Sequence, residues 1–124
     1  MKNIVLLGAT GSIGTQTIDV VKHHSDEFKI VAVGAGSNIN KLKELLVDLP
    51  DVHSISVAKE ADALALKEMY PHLQVYFGDE GLKTLAGLAD YDIFVNAIVG
   101  FRGLVPTLTA IENKRTIALA NKVK

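Results

Sequence analysis

The sequence predicts an α/β domain built on a doubly wound parallel sheet, with helices on both faces. Short apolar runs alternate with longer amphipathic stretches along the 124 residues, a pattern typical of parallel strands joined by right-handed helical crossovers. The strongest runs are apolar at consecutive positions, as expected of strands buried on both faces. Three closely spaced glycines follow the first run, where the chain must turn from a strand into a helix. These three observations together predict the doubly wound fold.

The elements follow in a regular order. The first strand starts at Ile4, and the first helix starts at Ser12, after the glycines. Asn38 can cap the second helix, which Pro50 ends, and Pro71 ends the third helix. The predicted strands are residues 4–7, 30–33, 53–57, 73–77, 91–97 and 116–120, and the predicted helices are residues 12–24, 38–48, 59–70, 79–88 and 103–113.

Composition indicates one globular domain and excludes several classes of function. Hydrophobic residues make up 48% of the chain and the net charge is −1, so neither nucleic acid nor an anionic membrane is an expected partner. The chain has no cysteine, which excludes disulfides and thiolate metal sites and is typical of a reducing cytoplasm. The first apolar run, residues 4–7, is too short for a signal peptide or a membrane span. We therefore expect a cytoplasmic protein.

The glycine-rich stretch between the first strand and the first helix predicts a phosphate-binding loop. Gly8 permits a tight turn off the strand, Gly11 allows a pyrophosphate to approach the backbone, and Gly14 allows close packing. The N–H groups at the helix start would face the phosphates, and Thr10 and Ser12 add hydroxyl donors. The G-x-x-G-x-x-G spacing is common among NADP-using reductases. The alternative is a glycine-rich turn without a ligand.

The end of the second strand predicts NADP rather than NAD as the cofactor. NAD-binding domains of this fold usually carry an Asp or Glu there, which binds the ribose hydroxyls. Residues 29–38 contain no acid, so nothing repels a 2′-phosphate, and Ser37 and Asn38 can donate hydrogen bonds to it. The alternative for these two residues is capping of the second helix, and Asn38 could do both. Lys41 could add positive charge, although a solvated helix face is the favoured interpretation.

Two later segments add a family resemblance. Residues 96–104 read Asn-Ala-Ile-Val-Gly-Phe-Arg-Gly-Leu, and residues 118–122 read Ala-Leu-Ala-Asn-Lys. The glycine loop at residues 8–14 and the sequence Ala-Gly-Ser-Asn at residues 35–38 precede them. The four segments occur in the same order in one known enzyme family. The sequence resembles the N-terminal, NADPH-binding Rossmann domain of the 1-deoxy-D-xylulose 5-phosphate reductoisomerase family. The resemblance covers about the first third of such an enzyme.

The resemblance implies an activity, a cofactor and an assembly for the parent enzyme. Such an enzyme isomerises 1-deoxy-D-xylulose 5-phosphate and reduces the intermediate to 2-C-methyl-D-erythritol 4-phosphate, with hydride from NADPH. The reaction belongs to the non-mevalonate route to isoprenoids. A divalent cation (Mg²⁺, Mn²⁺ or Co²⁺) holds the substrate oxygens, and the parent enzyme is typically a homodimer.

The resemblance also assigns roles to individual residues. Residues 10–13 would touch the pyrophosphate and its ribose, residues 36–38 would lie beside the adenosine 2′-phosphate, and residues 97–100 would line the cleft. Lys122 would reach the substrate. The cofactor-binding residues so implied are Thr10, Gly11, Ser12, Ile13, Gly36, Ser37, Asn38 and Asn121.

One departure from the family pattern lies at the end of the chain. The family motif continues Asn-Lys-Glu and its glutamate contributes to the cofactor site, whereas Val123 follows Lys122 here. The metal-binding carboxylates of the family lie beyond this point, so we expect neither catalytic residues nor metal ligands among the 124 residues. The four histidines lack the spacing of metal ligands and are expected at the surface. We expect residues 1–124 to form the cofactor domain of a longer enzyme and to be inactive alone.

Two other functions remain open at this point. A different NADP-dependent reductase of the same fold, such as a semialdehyde dehydrogenase, shares the glycine pattern but needs a catalytic cysteine downstream. A non-catalytic nucleotide-sensing Rossmann module also shares it. The residues at 97–103 and the Asn121-Lys122 pair favour the reductoisomerase interpretation over both.

Overall fold

The structure, a computed structural model, describes residues 2–98 and the backbone of residues 116–119. Within these residues, strands and helices alternate as the sequence predicts. The strands are β1 (Lys2–Leu7), β2 (Phe28–Gly34), β3 (Ser54–Val57), β4 (Gln74–Phe77), β5 (Ile93–Asn96) and β6 (Thr116–Leu119). The helices are α1 (Ser12–His23), α2 (Ile39–Val47), α3 (Glu60–Met69) and α4 (Gly78–Ala86).

The strands of the described residues form one parallel sheet in the order β4-β3-β2-β1-β5-β6. The chain builds outward from β1 to β4, and α4 then returns it to the other side of β1, where β5 pairs. The strand order therefore reverses between β1 and β5. In open α/β sheets a ligand binds at such a switch point, outside the carboxyl ends of the strands. The predicted doubly wound architecture is confirmed.

Two hydrophobic clusters, one on each face of the sheet, hold the helices in place. Side chains of β1 alternate between them: Ile4 and Leu6 belong to one cluster, and Val5 and Leu7 belong to the other. Helices α1, α2 and α3 pack on the first face through Ile18, Val21, Leu42, Ala63 and Leu66. Helix α4 packs on the second face through Leu82, Leu85 and Ala86. Helices thus cover both faces, as predicted.

Burial follows the position of each strand. Strands β1, β2 and β3 are buried at consecutive residues, whereas β4 at the sheet edge is half-buried or exposed along its length. The apolar character that identifies the inner strands in the sequence therefore reports burial on both faces.

Several predicted boundaries are shifted, for physical reasons. Strand β2 is longer than predicted because Phe28 and Lys29 continue the register with β1. Helix α4 ends earlier than predicted, at Ala86, because Gly87 forms its C-cap and donates to the carbonyl oxygens of Lys83 and Thr84. Strand β5 is shorter than the predicted residues 91–97. The predicted helix at residues 103–113 lies outside the described residues.

None of the helices in the described residues is long and apolar enough to cross a bilayer.

Candidate functional site

The exits of three neighbouring strands meet at the carboxyl edge of the sheet. After β1, the N–H groups of Gly8 and Ala9 both donate to the Gly34 carbonyl, over 2.9 and 3.0 Å. From the other side, the Ala97 N–H donates to the Leu7 carbonyl over 2.9 Å. Backbone hydrogen bonds therefore fix the start of the glycine loop between the ends of β2 and β5.

Two glycines of the loop are required by close backbone approaches. Gly8 has a φ of 79°, in the left-handed region that favours glycine, and a Cβ there would lie 2.8 Å from the carbonyl carbon of Ala97. A Cβ on Gly14 would lie 2.1 Å from the Gly8 carbonyl oxygen and 2.8 Å from Ala9. The tight-turn and close-packing roles predicted for Gly8 and Gly14 are confirmed.

Gly11 has a different environment. The nearest atom to a Cβ built there is the Gly8 carbonyl oxygen at 3.6 Å, an ordinary contact. Gly11 is the N-cap of α1 and has no side chain with which to cap it. Since the first N–H groups of a helix have no partner within the helix, those of Ser12 and Ile13 are suited to an anion placed at this end. Both residues are exposed, and Thr10 is half-buried.

The end of β2 lies beside this loop. The Ala35 N–H donates to the Ser56 carbonyl over 2.8 Å, and the Gly36 carbonyl accepts from Ala58 over 3.3 Å. A Cβ on Gly36 would meet nothing within 4 Å, and Ser37 is exposed. The loop after β2 therefore offers open space free of carboxylates from its own segment.

Asn38 caps helix α2. Its side-chain oxygen accepts a hydrogen bond from the Lys41 backbone N–H over 3.2 Å. This confirms the capping alternative for Asn38. The cap uses the oxygen of the amide and leaves its NH₂ donors for other partners, so capping and ligand binding by Asn38 remain compatible.

A crevice of about 180 Å³ joins these parts at the switch point. It is lined by Gly8, Ala35, Gly36, Leu82 and Ile98. Sequence reasoning missed Leu82, which α4 supplies from a remote part of the chain without any local signal.

A turn at the exit of β5 positions one wall of the crevice. The buried side chain of Asn96 accepts a hydrogen bond from the Ile98 backbone N–H over 2.9 Å. This turn was also missed, although an Asn at a strand end is a typical signal for it.

A larger cavity, of about 350 Å³, lies at the opposite, amino edge of the sheet. It is bordered by residues at the end of α1, at the start of β2 and after α2, including Lys22, Lys29 and Asp48. The larger volume does not identify the site. Ligands of such sheets bind at the carboxyl ends of the strands, and the oriented N–H groups at the start of α1 lie at that edge. We locate the candidate site at the smaller crevice.

The predicted site residues fall partly outside the part of the chain that the structure describes. Asn121, Lys122 and Val123 lie outside the described residues, as do residues 99–103. Of the predicted cofactor-binding residues, Thr10 to Ile13 span the end of the glycine loop and the start of α1, and Gly36 to Asn38 lie on the loop after β2, at the same edge of the sheet.

This arrangement defines a Rossmann-type α/β domain with a glycine-rich loop at its switch point. A family model described as 1-deoxy-D-xylulose 5-phosphate reductoisomerase matches residues 4–123. The chain belongs to the 1-deoxy-D-xylulose 5-phosphate reductoisomerase family.

Individual relatives agree with this membership. A reductoisomerase of Bacillus cereus (strain Q1) is 49% identical over 123 residues, which cover 98% of this chain and 32% of the relative. The solved reductoisomerase of Zymomonas mobilis in complex with NADPH is 30% identical, with a TM-score of 0.86 over 97% of this chain and 32% of that one. A solved reductoisomerase with NADPH, fosmidomycin and magnesium is 31% identical, with a TM-score of 0.90 over 98% of this chain and 30% of that one. The chain thus spans about a third of the length of these relatives.

Proposed function

We propose that residues 1–124 form the NADPH-binding domain of an enzyme that converts 1-deoxy-D-xylulose 5-phosphate to 2-C-methyl-D-erythritol 4-phosphate. The observation that carries the proposal is the glycine loop, which lies at the switch point of the sheet and leaves the start of α1 without a side-chain cap. The chain that carries this loop belongs to the reductoisomerase family. The solved relative from Zymomonas mobilis was determined with NADPH, which supports this choice of cofactor.

The pyrophosphate of NADPH would bind at the start of α1. The N–H groups of Ser12 and Ile13 lie at the positive end of the helix dipole, and Gly11 leaves room for the phosphates to approach the backbone. Thr10 and Ser12 would add hydroxyl donors. This loop would hold the centre of the cofactor by backbone groups that are already oriented, so binding would require little rearrangement.

The adenosine 2′-phosphate would bind at the loop after β2. Gly36 provides open space, and Ser37 and the NH₂ of Asn38 are hydrogen-bond donors at the same loop. No acid between residues 29 and 38 opposes the phosphate charge. The loop would therefore favour NADPH over NADH.

The reactive end of the cofactor would extend toward the carboxyl end of the chain. We propose that Asn121 contacts the cofactor near its nicotinamide and that Lys122 reaches the substrate, as the family resemblance implies. Val123, in place of the family glutamate, would remove one contact from this end of the site.

The rest of the reaction would be performed by the parent protein. When bound, NADPH supplies the hydride for the reduction. Magnesium accompanies NADPH in one solved relative, and we propose that a divalent cation (Mg²⁺, Mn²⁺ or Co²⁺) is held in the parent by residues outside this chain. We further propose that the parent protein is a homodimer in the cytoplasm. The absence of cysteine from the chain is consistent with a reducing compartment.

Membership of the reductoisomerase family argues against one of the two alternative functions and leaves the other to be tested. A semialdehyde dehydrogenase would not be expected to match the reductoisomerase family over residues 4–123. A purely nucleotide-sensing module would bind the cofactor equally well but would have no catalytic partner domain in its gene, so the full gene distinguishes it from the proposed enzyme.

Calorimetric titration of the chain with NADPH and, separately, with NADH tests the proposal. We expect binding of both cofactors with a preference for NADPH, and no conversion of 1-deoxy-D-xylulose 5-phosphate in a parallel assay. The parent enzyme serves as the positive control for both measurements. Equal or tighter binding of NADH would contradict the choice of cofactor, and product formation by the chain alone would contradict its role as a cofactor domain.

A further inference from the structure

Lys41 lies in the first turn of α2, next to the loop that follows β2. Its backbone N–H donates to the Asn38 side-chain oxygen over 3.2 Å, which ties this turn to the loop. The residue is half-buried. The turn that carries Lys41 is therefore fixed beside the loop at which a 2′-phosphate would bind.

Lys59 follows a residue whose backbone is hydrogen-bonded to the same loop. The Ala58 N–H donates to the Gly36 carbonyl over 3.3 Å, so the exits of β2 and β3 are joined. Lys59 follows directly as the N-cap residue of α3 and is exposed. Two lysines, one on α2 and one after β3, thus flank residues 36–38.

Neither lysine is neutralised by an acid. Among residues 2–98, neither Lys41 nor Lys59 forms an ion pair with a carboxylate. Glu60 and Asp62 follow Lys59 but belong to the first turn of α3, where the helix dipole stabilises carboxylates. Among these residues, neither ammonium group is therefore paired with a carboxylate, and the space beside Gly36 is open.

We propose that Lys41 and Lys59 are the residues that select NADPH over NADH by contacting the 2′-phosphate from two sides. This inference rests on the proposed function of the loop. A phosphate monoester carries a charge of about −1.5 to −2 at neutral pH, which two lysines can balance, and hydroxyl and amide donors such as Ser37 and Asn38 supply no charge. Since NADH lacks the 2′-phosphate, the two lysines contribute to the binding of NADPH alone.

Charge-removing variants test the proposal. Dissociation constants for NADPH and NADH are measured by fluorescence titration for the full chain and for Lys41→Gln and Lys59→Gln. Lys41→Arg and Lys59→Arg keep the charge. Lys43→Gln is the matched control, because Lys43 is also half-buried on α2 but lies about 200° around the helix from Lys41.

We expect each Gln variant to weaken NADPH binding about tenfold, the effect of losing one charge-assisted hydrogen bond, with NADH binding unchanged. The Arg variants and Lys43→Gln should keep the wild-type preference, and added salt should weaken NADPH binding less in the Gln variants than in the wild type. An unchanged ratio of the two affinities in both Gln variants would overturn the inference while leaving the proposed function intact. Failure of the wild type to bind either cofactor would instead overturn the proposed function, and this inference with it.

Discussion

The two edges of the sheet are built from different groups. At the carboxyl edge, the loops are held by backbone hydrogen bonds, such as those from Gly8 to Gly34 and from Ala97 to Leu7. Glycines at this edge leave the backbone uncovered, and helix α1 starts without a side-chain cap. The carboxyl edge thus presents oriented N–H groups and open space.

Side chains hold the amino edge together. Asn3 donates through its backbone N–H to the Asp92 carboxylate and through its side chain to the Asp90 carbonyl. His53 bridges the Ser54 hydroxyl and the Asp90 carboxylate, at 2.7 Å from each. At this edge, side-chain hydrogen bonds thus join the starts of β1 and β3 to the segment before β5.

The difference shows why volume is a poor guide to this site. The larger cavity lies at the amino edge, near the exposed ion pair of Lys22 and Asp48, whereas the smaller crevice lies beside the glycine loop. An anion is bound by donors that are already oriented toward it, and the carboxyl edge provides these. Substitutions at the amino edge should therefore change stability without changing the affinity for NADPH.

The largest expected effect is the loss of stability in Gly14→Ala. The new Cβ would lie 2.1 Å from the Gly8 carbonyl oxygen, a backbone atom that cannot move aside independently. We expect a loss of about 2 kcal/mol in the free energy of unfolding, from about 3 kcal/mol of overpacking offset by about 1 kcal/mol of alanine helix propensity. Urea denaturation measures this change.

Gly11→Ala is the matched control within the same loop. Its Cβ would make only an ordinary contact, so we expect a loss of no more than about 0.5 kcal/mol, from the poorer N-cap. NADPH affinity should nevertheless fall, because the methyl group would stand where the pyrophosphate approaches. A Gly14→Ala protein as stable as Gly11→Ala would refute the close-packing role of Gly14.

A smaller effect is expected at the amino edge, from Asp90→Asn. The change weakens the pair with His53 but retains the hydrogen bond from the Asn3 side chain to the backbone carbonyl. Both side chains are about half exposed, so the loss of stability should be about 0.5 kcal/mol, with NADPH affinity unchanged. Thermal unfolding and cofactor titration of the same sample check both parts. A large loss of affinity would mean that the two edges are not independent.

Local sequence signals were sufficient for the fold and for the loops. The alternation of apolar runs and amphipathic stretches gave the parallel sheet, because strands buried on both faces must be apolar throughout. The glycine spacing gave the packing roles of Gly8 and Gly14, since only a residue without Cβ can stand there. Asn38 was likewise recognisable as a cap.

Features that depend on remote contacts could not be predicted in this way. Leu82 enters the crevice because α4 packs on the second face of the sheet, and no local pattern encodes that approach. The bridge from His53 to Asp90 joins residues 37 positions apart, so His53 could be recognised only as a surface histidine. The roles predicted for Asn121 and Lys122 came from family resemblance alone, because a lone Asn-Lys pair has no chemistry specific to a cofactor.

Amide chemical-shift mapping of the ¹⁵N-labelled chain with NADPH tests most directly whether the carboxyl edge is the binding edge. We predict that the largest shifts fall on residues 8–14 and 36–41, while the amides of Lys22, Lys29 and Asp48 around the larger cavity stay in place. Shifts centred on that cavity, or no shifts at saturating NADPH, would contradict the assignment of the site.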